Sequence, residues 1–273
     1  MNFEKLINDS LGYTRDTFAG HWGRWLIFVL LGLPFSLVRF VIDPGKIFTG
    51  AAIHWELIPW GSIAALVIAG ILASFFIAGY TVRIYRGTVP GPDFTGWASL
   101  FIDGIKVDIV IFVWFLPAIL LGLLLVVLLL GGLFPGGLFP GLGSPPLILA
   151  ALLVFLGAMI VIIIASLYVT MGAIRFARTE SMAEGWRFSA ITGILRRIGW
   201  VNYIIALVLL VFIAVLYSIV VSMPAIIPYV GWIVPVALAP FLTVFIARYF
   251  TLVYEAGEIP PATAPAPPAS SAV

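Results

Sequence analysis

The chain has 273 residues, 63% of them hydrophobic and only 10% charged, with a formal net charge of +2. A soluble domain carries about 25% charge, and apolar runs of about 20 residues need a bilayer because no core of this size could bury them. Cysteine is absent, which excludes disulfides, thiolate zinc sites, iron–sulfur ligation and a cysteine nucleophile. The apolar runs are solid rather than alternating, which speaks against a β-barrel.

The N-terminal 23 residues are polar and amphipathic. No short apolar stretch with a small-residue cleavage site follows, so no cleavable signal is expected. Phe3, Ile7, Leu11, Thr14, Phe18, Trp22 and Trp25 recur at spacings of three and four, and Lys5, Asp9, Gly12 and Asp16 fall opposite. That pattern predicts a helix lying in the membrane plane with its apolar side down.

Six spans are expected after it, at about 25–42, 57–82, 109–133, 147–173, 201–223 and 229–250. The last two come from one stretch, Ile198 to Ala247, that contains no charge. It is too long for one crossing at about 1.5 Å per helical residue against a ~30 Å hydrocarbon core. Pro224 and Pro228 bracket the expected turn.

Arg39 ends the first span and is expected to snorkel, with Asp43 as its partner. His54 and Glu56 follow in the outer loop without a recognised metal-ligand spacing, and His21 is expected on the other side of the membrane. Asp103, Lys106 and Asp108 crowd the entry to the third span, where Asp103 and Lys106 are one turn apart and can pair. The segment Gly131–Pro146, with its tandem GGLFP, predicts an outer loop. Of the 14 basic residues, only Arg39 and Lys46 fall on the outer side. The positive-inside rule then puts both termini in the cytoplasm.

One element recurs on that cytosolic side. Trp97-x4-Ile102-x-Gly104-Ile105 matches Trp186-x4-Ile191-x-Gly193-Ile194, and each follows a basic step, Arg83/Arg86 or Arg175/Arg178. Tyr13-x4-Phe18-x-Gly20 is a fainter copy. Copies on one face make three parallel units, each an in-plane helix followed by a membrane hairpin. Trp97 and Trp186 are expected as interface anchors, rings in the apolar edge and N–H groups in water. In the third copy Trp186, Ala190, Ile191, Ile194, Leu195 and Ile198 form the apolar face. The element can simply anchor the bundle, or it can bind anionic headgroups or a polar ligand through Arg83, Arg86, Arg175, Arg178, Arg196 and Arg197.

No G-x-x-x-x-G-K-[ST], H-E-x-x-H, G-x-S-x-G or kinase-like set is present. No span carries an acid or base near its centre, which argues against a proton pump or an intramembrane protease. The last residues, Ile259–Val273, are Pro, Ala and Ser without charge, and a disordered tail is expected.

The stretch GYTVRIYRGTVPGPDFTGWASLFIDGIKVDIVIFVWFLP resembles a signature of an uncharacterised family of polytopic membrane proteins, domain-of-unknown-function family 4013, prevalent in archaea. The matching residues are Gly79, Tyr80 and Arg83, then Pro92, Trp97, Leu100, Phe101 and Gly104. MGAIRFARTESMAEGWRF is similar to the family's second cytosolic element. The resemblance implies the six-span helical fold and a cell-membrane location, and it brings no activity and no functional residues. The long GGLFP loop is a departure from it.

The expectation is therefore an all-α integral membrane protein. Its six transmembrane helices form three hairpins, each preceded by a cytosolic in-plane amphipathic helix, over residues 1–256, with a tail at 257–273. It is read as a non-catalytic bundle that binds membrane lipids, anionic headgroups above all, or a membrane-protein partner. No cofactor, metal or nucleic acid is expected. The alternative is a transporter or channel for a small solute or lipid.

Overall fold

A computed structural model describes residues 1–42, 44–49, 52–133, 145–227 and 231–258. Asp43, residues 134–144 of the GGLFP segment, Pro228 and the tail from Ile259 lie outside the described residues. So do the Arg39–Asp43 pair, much of the outer loop and the disordered tail expected there.

Among these residues ten α-helices follow in order: α1 Phe3–Phe18, α2 Trp22–Val41, α3 Pro44–Ile47, α4 Trp60–Tyr85, α5 Trp97–Leu133, α6 Pro145–Thr179, α7 Met182–Gly185, α8 Phe188–Ile198, α9 Trp200–Ser222 and α10 Ile233–Glu255. A two-residue antiparallel ribbon, β1 Phe48–Thr49 with β2 Ala52–Ile53, lies between α3 and α4. Helices α2, α4, α5, α6, α9 and α10 are each long and apolar enough to cross a bilayer. Much of their outer surface is bare aliphatic, with Leu120, Leu153, Ile160 and Val208 exposed. In water that surface would be unfavourable; in lipid it needs no cover.

Each expected span overlaps one of these helices, although 57–82 begins three residues before α4 and 229–250 four before α10, and two helices are much longer than expected. Helix α5 has 37 residues and α6 has 35, about 55 Å each at 1.5 Å per residue. Hydropathy drops at Asp103, Lys106 and Asp108, yet the backbone stays helical through them. The in-plane helix expected from the Trp97 copy does not exist as a separate element: Trp97 is simply the first residue of α5. At the far end α5 runs through Leu133 and α6 starts at Pro145, so both helices extend into the segment expected as loop.

The glycine of each copy has its own use. Gly104 lies where a Cβ would overlap the Phe75 carbonyl of α4, and Gly79 answers it against the Leu100 carbonyl of α5. The two backbones touch, which only glycine permits. Gly20 has φ +75° and turns the chain after α1, whereas Gly193 of α8 faces open space save for the Arg197 guanidinium 3.7 Å from where its Cβ would stand.

The N-terminal helix packs on a face turned from the expected one toward Leu6, Ser10 and Tyr13, with Thr14 and Phe18 common to both. Leu6, Ser10, Tyr13, Thr14, Thr17 and Phe18 are buried, whereas Leu11 is exposed. The reason is that Ser10, Thr14 and Thr17 donate their hydroxyls to the carbonyls of Leu6, Ser10 and Tyr13, four residues back, at 2.7–2.8 Å. Satisfied in this way, small polar side chains can face the bundle. In α8 the buried residues are Ile191, Ile194, Leu195 and Ile198, as the pattern predicts. Trp186, however, sits between α7 and α8 rather than on the α8 face.

Candidate functional site

The start of α2, α5 and α9, and the end of α4, α6 and α10, meet at one end of the bundle together with α1, α7 and α8. The 86–96 segment between α4 and α5 is its centre. Gly87 and Gly96, with φ +87° and +62°, make its two bends. Arg83 holds the segment from within, donating to the carbonyls of Asp93 at 2.8 Å and Thr95 at 2.7 Å and to the Ser99 hydroxyl at 3.1 Å. Phe94, from the same segment, stacks on Tyr80 at 4.7 Å and on Trp97 at 5.7 Å.

Helix α1 rests on this segment. A Cβ on Gly91 would overlap Thr17, and the Tyr13 hydroxyl donates to the Thr88 carbonyl at 2.9 Å. Burial pushes the Tyr13 phenol up to about 12, against the opposing pull of Arg248 and Arg24. Arg24 lies beneath, its side chain 10% exposed, with Asp93 at 2.6–2.7 Å and the Thr17 carbonyl at 3.2 Å.

The remaining arginines join the helix ends. Arg86 pairs with Asp103 at 2.7 Å and donates to the Ala177 carbonyl at 3.3 Å. Asp103 therefore pairs with Arg86 and not, as its spacing suggested, with Lys106, which is exposed. Arg178 donates to the Tyr85 carbonyl at 3.0 Å and pairs with Glu255 at 2.6 Å and Glu258 at 3.0 Å. Arg175 and Arg187 both hold Glu184, and their hydrogen bonds keep its carboxyl below the usual carboxylate range. Arg197 donates to the Gly257 carbonyl at 2.6 Å.

Arg196 differs from these five. It is exposed on the last turn of α8 with no hydrogen bond or ion pair among the described residues. Of the six arginines singled out by sequence, it is the one that makes no bond among the described residues.

The two tryptophans also part ways. Trp97 is 45% exposed and edge-on to Phe76 at 5.4 Å, which suits an interfacial ring. The Trp186 indole donates to the Val110 carbonyl at 3.2 Å, while Trp114 donates back to the Gly185 carbonyl at 3.1 Å. Its N–H is thus bonded inside the protein and not in water. The pair locks α7 against α5.

One cation at this end went unweighed in the sequence. Arg248 of α10 has a side chain 14% exposed, with Glu255 4.0 Å away and the Tyr13 ring 5.1 Å from its guanidinium. Its Nε has no hydrogen-bond partner among the described residues. The signal was present, since Arg248 is the single charge between Arg197 and Glu255. It falls near the end of the expected sixth span, 229–250. Among the described residues no three His, Asp or Glu side chains converge as a metal site would need.

No curated protein and no solved structure matches the chain. Residues 62–227, more than half of it, match the model of a family described as protein of unknown function, DUF4013. The match takes in α4 to α9 with the 86–96 segment, and on that basis the chain belongs to the DUF4013 family.

Proposed function

We propose that this protein is a non-catalytic, multi-pass bundle of the cell membrane that binds lipid through its basic end, with both termini in the cytosol. In this reading the six long helices stand as three hairpins, and α1 and α8 lie in the cytosolic headgroup layer. One observation carries the lipid part: Arg196 is exposed, with no partner among the described residues, on a helix whose Ile191, Ile194, Leu195 and Ile198 are buried. Exposed Lys106 adds a second cation at the same end. Each basic group near an anionic surface is worth about 1 kcal/mol. Arg83, Arg86, Arg175 and Arg178 hold the bundle together in this reading, and their effect on lipid is indirect.

The test is native mass spectrometry of protein released from membranes rich in anionic lipid. Arg196→Gln with Lys106→Gln should lower the retained anionic lipid several-fold without changing the melting temperature. Equal retention by the variant overturns the reading.

A transporter of lipid is the second reading. A cavity of about 380 Å³ between α2, α4 and α10, lined by Phe28, Phe35, Ile77, Pro235 and Pro240 among others, favours it. The lining is almost wholly apolar, which suits an acyl chain better than a polar solute. Lipid scrambling or solute flux in proteoliposomes would distinguish the two.

A further inference from the structure

A second cavity, of about 350 Å³, lies between α1, the 86–96 segment and α10. Asn8, Asp9, Gly12 and Asp16 form one wall, Pro90 belongs to another, and Arg248 lines it from α10. Its charges are unusual. A cation with a side chain 14% exposed is ordinarily matched by a close carboxylate. Arg248 has only Glu255 at 4.0 Å, and that carboxylate is already bound by Arg178 at 2.6 Å. Its Nε is unpaired among the described residues.

Across the cavity the imbalance is of the opposite sign. Asp9 is exposed without an ion pair or hydrogen bond among the described residues. Asp16 is met only by its exposed neighbour Arg15, at 3.0 Å. An anion alone would gain at Arg248 and be repelled from the α1 wall, and a cation alone would meet the reverse. A ligand with both signs gains at both walls. Gly12 stands between them, and nothing lies within 4 Å of where its Cβ would be. The volume lies at the small end of ligand pockets, enough for a headgroup-sized group but not for a whole lipid.

We propose that this cavity binds a small zwitterion whose oxyanion meets Arg248 and whose ammonium meets Asp9 and Asp16. That chemistry is shared by a phosphoethanolamine headgroup and a free amino acid. The guanidinium fork suits a phosphate or a carboxylate, and the carboxylates suit an ammonium. The site shares no residue with Arg196 and Lys106, so it stands whether or not those bind anionic lipid.

The full-length protein in detergent would be melted with phosphoethanolamine, glycine, inorganic phosphate or ethanolamine. At saturation phosphoethanolamine or glycine should raise Tm by about 3 °C or more, and phosphate or ethanolamine alone should not. Asp9→Asn and Arg248→Gln should abolish the shift. Gly12→Leu should abolish it too by filling the cavity, and because leucine is a better helix former than glycine the unliganded protein should stay folded even if Arg248→Gln does not. A parallel arm would look for retained phosphatidylethanolamine by native mass spectrometry. Retention lost in Gly12→Leu, without a shift from soluble zwitterions, supports the proposal with the lipid as source; a shift without retention supports it with a soluble source. The absence of both the shift and the retention overturns it. Phosphate acting as well as phosphoethanolamine, with Asp9→Asn silent, also overturns it and leaves a plain anion site.

Discussion

The two ends of the bundle are held by different kinds of bond. At the basic end the contacts join residues far apart in sequence: Arg178 to Tyr85, Glu255 and Glu258, Arg86 to Ala177, Arg197 to Gly257, Tyr13 to Thr88. At the opposite end the described contacts between α2 and α4 are local. The His54 N–H donates to the Ile47 carbonyl at 2.9 Å, and the His54 ring meets Glu56 at 3.0 Å. Between helices, the described residues toward that end offer the ring contact of Phe40 with Trp232 at 5.0 Å and the bond from the Tyr217 hydroxyl of α9 to the Leu238 carbonyl of α10. Long-range polar bonds tie the fate of one helix to another, whereas local ones can open alone. The basic end should therefore unfold with the whole protein and the other end before it.

The largest effect should come from the glycine contact that brings α4 and α5 together. Gly104→Leu forces these backbones apart and should cost about 3 kcal/mol or more, seen as loss of the monodisperse peak in size exclusion. Gly122→Ala, with open space around it in the same helix, should be neutral. Next is Arg178→Ala, which leaves Glu255, Glu258 and the Tyr85 carbonyl without it. Its partly exposed setting, 22% for the arginine, scales the usual cost of breaking a buried pair down to about 2 kcal/mol. Thermal unfolding should show the change.

A smaller effect is the pH dependence of Glu184. Arg175 and Arg187 lower its folded pKa, so its stabilisation is complete above the unfolded carboxyl pKa of about 4.3 and is lost as pH falls through the lower folded value. Tm should fall over that acid window, less steeply in Glu184→Gln. The smallest effect should come from His54→Ala at the opposite end, about 0.5 kcal/mol or less for an exposed pair. A cost equal to that of Arg178→Ala would break the contrast between the ends.

The six long helices were legible because solid apolar runs have one stable home. Their true lengths were not, because Asp103 and Lys106 lower hydropathy without breaking a helix. The α8 face was legible from its spacing. The α1 face was not, since Ser10, Thr14 and Thr17 look polar until their hydroxyls bond back to the helix. The arginines expected on one side of the membrane lie among the helix ends of one end of the bundle. Whether each faced outward or joined helices depended on partners up to 93 residues away, which spacing alone does not reveal. Arg248 was missed because a charge at the end of an apolar run reads as a boundary.

The reach of Arg178 also bears on how the chain is assembled. It leaves the insertion machinery with α6, while Glu255 and Glu258 follow α9 and α10. Until the last helix is in place this guanidinium waits without its carboxylates, so the half-built protein carries an unsatisfied charge at the place where its helix ends converge. Completion of synthesis is what closes that gap. A chain cut short before Glu255 would keep most of its apolar helices and still present, at its basic end, the mark of an unfinished product.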